Sequence, residues 1–180
     1  MIFGFFMVQL LWLMIPGVFA NIFASVSAKF FPWLGYPMDM GKSWRGKRIL
    51  GDHKTLRGYI FGISSAVFAA NMQTWVHPYM PNVPLLDYSQ AWLVGLLIGA
   101  GVLVGDSVKS FFKRRAGIPP GGKFIPWDQI DSALGGLVFV SFAYALSWQI
   151  IVTSVVLAFV LHVTVRHVAY WLKIEKTPWA

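Results

Sequence analysis

IFGFFMVQLLWLMIPGVFANIFASVS, residues 2–27, contains no charged side chain. A helix rises 1.5 Å per residue, so roughly 20 residues cross a hydrocarbon core about 30 Å thick, and this stretch is long enough to do so. Its neighbours repeat the pattern. Of the 180 residues, 57% are hydrophobic and 12% charged, and the mean hydropathy is +0.61, outside the range of an ordinary soluble domain. Further apolar runs cover about 58–76, 91–105, 132–147 and 149–172, of which 91–105 and 132–147 are short. In lipid every backbone N–H and C=O must be satisfied within its own segment, and no ten-residue strand alternation is present. The expectation is an all-α, polytopic membrane protein of five transmembrane helices in one domain over 1–180. Pro16-Gly17 marks a kink in the first span.

Orientation follows from the cations. Lys29, Lys42, Arg45, Lys47, Arg48, Lys54 and Arg57 follow the first span. Lys109, Lys113, Arg114, Arg115 and Lys123 separate the third from the fourth, and Arg166, Lys173 and Lys176 end the fifth. On the five-span map all 15 Lys and Arg residues fall on one side. The positive-inside rule makes that side cytoplasmic, with the N-terminus outside and cytoplasmic loops at about 32–57 and 106–131. Trp75, Tyr79, Tyr88, Trp92 and Trp148 are expected in an outer aromatic belt, with Trp33, Trp44, Trp127 and Trp171 in an inner one. No basic residue precedes the first span, so it is read as a retained helix and not as a cleaved leader. The absence of cysteine excludes disulfides, thiolate catalysis and Cys-ligated zinc. The net charge of +8 is confined to the rim of two loops, which argues against nucleic acid as a partner.

Topology does not explain the aspartates of GDSVKSFFKRRAGIPPGGKFIPWDQIDS, residues 105–132. Asp106 ends an apolar, glycine-rich run; a helix continuing past it carries Lys109, Ser110 and Lys113 on the same face. Asp128 and Asp131 are three apart, on one face of the turn opening the fourth helix. Three carboxylates from adjacent helix ends are therefore placed to converge, and hard oxygen donors suit Mg2+, which takes one or two carboxylates and completes its shell with water and phosphates. The other reading is structural: Asp106 and Asp131 pair with Lys109 or Arg114, and Asp128 caps a helix.

The loop PMDMGKSWRGKRILGDHKTLRG, residues 37–58, interleaves glycines with Lys42, Arg45, Lys47, Arg48, Lys54 and Arg57, and Thr55 stands at an N-cap position. This is either a phosphate cradle or a solvated basic loop. Carboxylates for a metal and cations for phosphates, at a lipid surface, fit phosphoryl or nucleotidyl transfer onto a membrane lipid.

GDSVKSFFKRRAGI at 105–118, followed by PWDQID at 126–131, resembles the signature of the membrane CTP-dependent phosphatidate cytidylyltransferases, and KTLRG at 54–58 is similar to their K-T-x-E-G element. The short archaeal branch, the CDP-archaeol synthases, is the nearer likeness. It shares Pro16 and Ala20-Asn21 in the first span, Pro37, Asp39 and Gly41, and GKRILGDHKT at 46–55. The chain departs from the bacterial branch in lacking His-Gly-Gly before D-x-x-D, in having Pro119-Pro120 for Lys-Asp, and in Arg57 for Glu.

The resemblance implies CTP and an isoprenoid diether glycerol phosphate as substrates, CDP-lipid and pyrophosphate as products, and Mg2+ as cofactor, at the cytoplasmic face of the cell membrane. It implies that Asp106, Asp128 and Asp131 hold metal and order the triphosphate. Lys109, Lys113, Arg114 and Lys123 would neutralise phosphates. Lys54 and Thr55 would bind CTP, with Lys47, Ser110, Asn21 and Asp39 as further nucleotide-side candidates. A CTP-dependent polyprenol kinase and a lipid or ion transporter are the alternatives. His162 and Arg166, four apart on the fifth helix, are expected to hydrogen-bond within the bundle and to snorkel, respectively. Gly95, Gly99, Gly101, Gly105, Gly135 and Gly136 read as close helix packing.

Overall fold

The computed structural model of the protein describes residues 2–119 and 122–173, so Pro120 and Lys176 lie outside the described residues. Five helices dominate: α1 (Ile2–Phe30), α2 (Leu56–Val76), α3 (Ala91–Arg115), α4 (Trp127–Val140) and α5 (Trp148–Trp171). Phe3–Phe30, Tyr88–Arg115 and Trp148–Trp171 are both long and apolar enough to cross a membrane. The α1 helix continues through a fully buried Pro16.

Two spans differ from the sequence reading. α3 does not stop near residue 105 but runs on to Arg115, carrying Asp106, Lys109 and Lys113 as helical residues. Its 25 residues reach about 37 Å, longer than a hydrocarbon core, so the charged end projects beyond it. α4 begins at Trp127 and ends at Val140, earlier at both ends than the expected 132–147. The apolar residues beyond it turn instead, with Phe142 N–H donating to Phe139 O and Ala143 N–H to Val140 O. Hydropathy cannot distinguish an apolar turn from one more helical turn, which explains the error. Tyr88 is a further correction: it is 7% exposed, in the core, whereas Trp75, Tyr79, Trp92 and Trp148 are exposed as a belt requires.

Neighbouring helices run antiparallel. Gln73 Nε2 donates to Trp12 O at 2.7 Å and Ser65 Oγ to Phe19 O at 3.1 Å, so the polar side chains of α2 satisfy themselves on α1. The tightest contact is α3 on α4. A Cβ added at Gly101 or Gly105 would clash with the carbonyl oxygen of Gly135 or Asp131, and one added at Gly135 with that of Gly101. Lipid provides no hydrophobic drive between helices, so close backbone approach through small residues is what holds such a pair together. The same contact sets the Asp131 turn directly against the Asp106 turn. α5 leans on α4, and only Ser154 and Ala158 of it are buried.

The α1–α2 connection is ordered by Asp39, whose side chain is 1% exposed. It accepts from the amides of Gly41, Leu50 and Gly51 at 3.0–3.1 Å and from Arg48 at 2.7 and 3.3 Å. Between these anchors a hairpin, β1 (Ser43–Trp44) and β2 (Lys47–Arg48), turns through Arg45 and Gly46, with φ of 52° and 74°. Two successive positive φ values match the twist of an antiparallel pair, and Gly supplies one at no steric cost. Arg115 at the end of α3 clips the hairpin down, donating to the carbonyls of Trp44, Lys47 and Arg48 at 2.6–3.0 Å and lying over the Trp44 and Phe111 rings.

Candidate active site

Asp106 and Lys109 share a face of α3, one turn apart, and Asp128 and Asp131 share a face of α4. The glycine contact brings those faces together around a single ammonium group. Lys109 Nζ lies 3.0 Å from Asp106 Oδ1, 3.3 Å from Asp128 Oδ1 and 2.9 Å from Asp131 Oδ2. Lys54, just ahead of α2, forms a second ion pair with Asp106. Lys113 spans both oxygens of Asp128 at 2.9 and 3.1 Å, and the Phe124 amide donates to the same carboxylate at 2.7 Å. Three carboxylates thus face three ammonium groups in a largely buried cluster. Among the ion pairs, Asp131 has only Lys109 and Lys113 has only Asp128, so losing Lys109 or Asp128 would leave a buried charge unpaired, which is costly at low dielectric.

Two cavities meet at this cluster. One, of about 580 Å³, runs between α1, α3, α4 and α5. Its long wall is apolar, with Leu13, Gly17, Ile98, Val102, Leu137 and Ala158, and one end is closed by Asp106, Lys109, Asp128 and Asp131. The other, of about 370 Å³, is polar and is lined by Asp52, His53, Lys54, Thr55, Arg57 and Tyr59. Asn21 and Asp106 line both. An apolar trough and a polar chamber with a common carboxylate are what a lipid and a hydrophilic co-substrate require if they are to react together.

The structure brings together Asp106, Lys109, Lys113, Asp128, Asp131 and Lys54, with Thr55 and Asn21 on the adjoining walls. Thr55 is the N-cap of α2, its Oγ1 accepting from Gly58 N–H at 3.3 Å. Arg114, Ser110 and Lys123 line neither cavity. Lys47 donates to the Arg115 carbonyl at 3.2 Å and so belongs to the hairpin clip. Asp39 spends its oxygens inside its own loop, which makes it a positioning residue. Burial alone would raise its pKa, but the Arg48 guanidinium and the Leu50, Gly51 and Gly41 amides together hold its carboxyl well below the usual carboxylate range.

A folded-state pKa depressed in this way contributes stability that is present above the ordinary carboxylate value, near 4, and lost as pH falls through the folded value. Asp39→Asn is expected to loosen the 37–52 segment by about 2 kcal/mol at neutral pH. Hydrogen exchange at the Gly41, Leu50 and Gly51 amides measures this, and unchanged protection would refute it.

Two wall residues, Tyr59 and Gln129, carry no role in the sequence reading. Tyr59 shares a hydrogen bond of 2.7 Å with Ser107 and donates to Leu103 O at 3.1 Å, tying α2 to α3 beneath the polar chamber. Gln129, between the two α4 aspartates, is 6% exposed and its Oε1 has no hydrogen-bond partner. It lies inside the D-x-x-D motif at 128–131, which was the available signal. Arg57 closes the end of α1, donating to the carbonyls of Phe31 and Pro32 at 3.2 and 3.0 Å.

The same cluster bears on whether a divalent cation could be held here. Among the described residues no three Asp, Glu, His or Cys side chains form an ion-sized cage, because Lys109 holds the three aspartates apart. The donors nevertheless suit a hard cation. Asp131 Oδ2 is sealed from solvent without a well-directed hydrogen bond, and magnesium needs only one or two carboxylates when substrate phosphates supply the rest.

The chain is similar to known proteins over nearly its whole length. Residues 3–179 match the family model described as CarS-like: CDP-archaeol synthase. The CDP-archaeol synthase of Methanospirillum hungatei is 33% identical over 178 residues, covering 92% of this chain and 100% of the relative. That of Pyrococcus furiosus is 32% identical over 169 residues, covering 93% and 95%, and that of Methanosarcina barkeri 34% over 181 residues, covering 92% and 100%. A solved structure described as an intramembrane enzyme for archaeal membrane lipids biosynthesis superposes with a TM-score of 0.71 at 28% identity, covering 86% of this chain and 90% of the other.

Proposed function

The chain belongs to the CDP-archaeol synthase family, and from that premise we propose that it transfers CMP from CTP to an isoprenoid diether glycerol phosphate, 2,3-bis-O-geranylgeranylglyceryl 1-phosphate, giving CDP-archaeol and pyrophosphate. The observation that carries this reading is the meeting of an apolar trough and a polar chamber at one acid–lysine cluster. The lipid chains would lie against Ile98, Val102 and Leu137, and the nucleotide would occupy the chamber walled by Lys54, Thr55 and Tyr59.

A phosphate monoester has a second pKa near 6, so at neutral pH the acceptor is already a nucleophile and needs no general base. One of its oxygens attacks the α-phosphorus of CTP; the new P–O bond forms as the bond to the bridging α–β oxygen breaks, and pyrophosphate leaves with those electrons. The barrier is the repulsion between two anions. Lys54, Lys109 and Lys113 would leave their carboxylate partners for phosphate oxygens and remove that repulsion, in a site shielded from bulk water where charge is worth most. Asp106, Asp128 and Asp131 would then be free to hold a divalent cation, which we take to be Mg2+ and which supplies further charge neutralisation on the phosphates. Lys47, Arg114 and Lys123 would form an outer basic rim that attracts nucleotide. The whole described chain acts as one catalytic domain of the cell membrane, its site facing the cytoplasm because the cations lie there.

The test is incubation of detergent-purified protein with Mg2+, α-labelled CTP and a dialkylglyceryl phosphate. Label in the lipid with one pyrophosphate per lipid labelled, abolished by chelation, is expected. Transfer of a γ-label with release of CDP would overturn the reading in favour of a lipid kinase.

A further inference from the structure

The fifth helix contributes one polar group to the headgroup end of the trough. α5 faces the cavity with Ser154, Ala158, Leu161, His162 and Val165, a single stripe at helical spacing. His162 is half-buried and, against the expectation of a bond within the bundle, makes no hydrogen bond among the described residues. An imidazole without a partner on the cavity face of a membrane helix is costly, and such residues stand where a pathway or substrate satisfies them.

Its depth is informative. Antiparallel packing of neighbouring helices makes α1, α3 and α5 run in the same direction. Along each, the lining begins with Leu13, Ile98 or Ser154, and a polar residue follows eight positions later: Asn21, Asp106 and His162. Eight helical residues rise about 12 Å, so each polar group stands about that far along its helix from the first lining residue, where apolar wall gives way to charge, and the charges of Lys109 and Asp128 act on His162. Lys109 and the α4 aspartates close the trough just beyond. A glycerol phosphate whose phosphate reaches Lys109 would have its headgroup oxygens near these polar groups and its chains along the remaining wall.

We propose that His162 binds the acceptor lipid by donating a hydrogen bond to an oxygen of its glycerol phosphate headgroup. A neutral imidazole always carries one N–H, whichever tautomer is present, and headgroup oxygens are acceptors throughout. The nucleotide chamber contains no residue of α5, so the contact is specific to the lipid side. The inference rests on the trough being the acceptor site.

The experiment is steady-state kinetics of His162→Ala and His162→Gln in detergent, varying dialkylglyceryl phosphate and CTP separately. Loss of one hydrogen bond predicts a KM for lipid about tenfold higher in His162→Ala, with the KM for CTP and the kcat within about twofold of wild type. His162→Gln, which keeps a donor, should recover most of the loss. If His162→Ala does not extract as folded protein, His162→Phe is read in its place, since it fills the space without a donor. An unchanged lipid KM, or an equal rise for both substrates, would overturn the proposal. Failure of the wild type to label any lipid would instead overturn the cytidylyl-transfer reading beneath it.

Discussion

Asp131→Asn is expected to lower kcat by about a thousandfold or more while the protein still extracts and melts as the wild type does. Asp131 is 9% exposed and its Oδ2 sits 2.9 Å from Lys109 Nζ with no well-directed hydrogen bond of its own. Asparagine fills the same volume, and Lys109 keeps Asp106 at 3.0 Å and Asp128 at 3.3 Å, so the fold retains two of the three ionic contacts. What disappears is a charge that the proposed reaction needs once Lys109 moves onto phosphate. An amide oxygen is a weaker ligand for a hard cation and cannot hold a lysine in reserve. The readout is lipid labelling against a melting curve of the same sample. A rate within tenfold of wild type, or loss of activity only in step with unfolding, would rule out the role assigned to this carboxylate.

Gly135→Val should have the largest effect on the fold itself. A Cβ at this position would clash with the carbonyl oxygen of Gly101 and come within 2.9 Å of Gly105 Cα, both backbone atoms that cannot rotate away. Overpacking of this kind costs about 3 kcal/mol or more, because two helices must separate along a shared face. The site would go with it, since the same contact sets Asp131 beside Asp106. The expected result is poor extraction and a lowered melting midpoint, with residual protein inactive. Gly136→Ala is the comparison: the nearest atom to its Cβ is a Val102 methyl at 3.3 Å, a side chain able to give by a few tenths of an ångström. Equal behaviour of the two variants would mean that the α3–α4 contact is looser than described.

The amino-acid sequence by itself determined that the protein is a membrane-embedded helical bundle, roughly where its five helices lie, that its cations gather at one end, and that Asp106, Asp128 and Asp131 are placed to converge. Each of these is a local property: hydropathy summed over a window, charge counted along a loop, carboxylates three residues apart on a turn. The helix ends were less legible where composition did not change at the boundary, as at Val140, or where charge entered a helix that simply continued, as between Asp106 and Arg115. Tyr88 could not be separated from its exposed aromatic neighbours for the same reason.

Tertiary structure alone decided how these parts combine. Only the approach of α3 and α4 through Gly101, Gly105 and Gly135 puts three carboxylates on one lysine. It also decided that Asp39 is consumed by its own loop, that Arg114 and Lys123 stand away from both cavities, and that Gln129 and His162 line the trough. Such relations join residues far apart in the chain, and no window of sequence records a distance between two faces. They follow from which small residues let backbones touch, a choice made by packing between helices once each helix has formed.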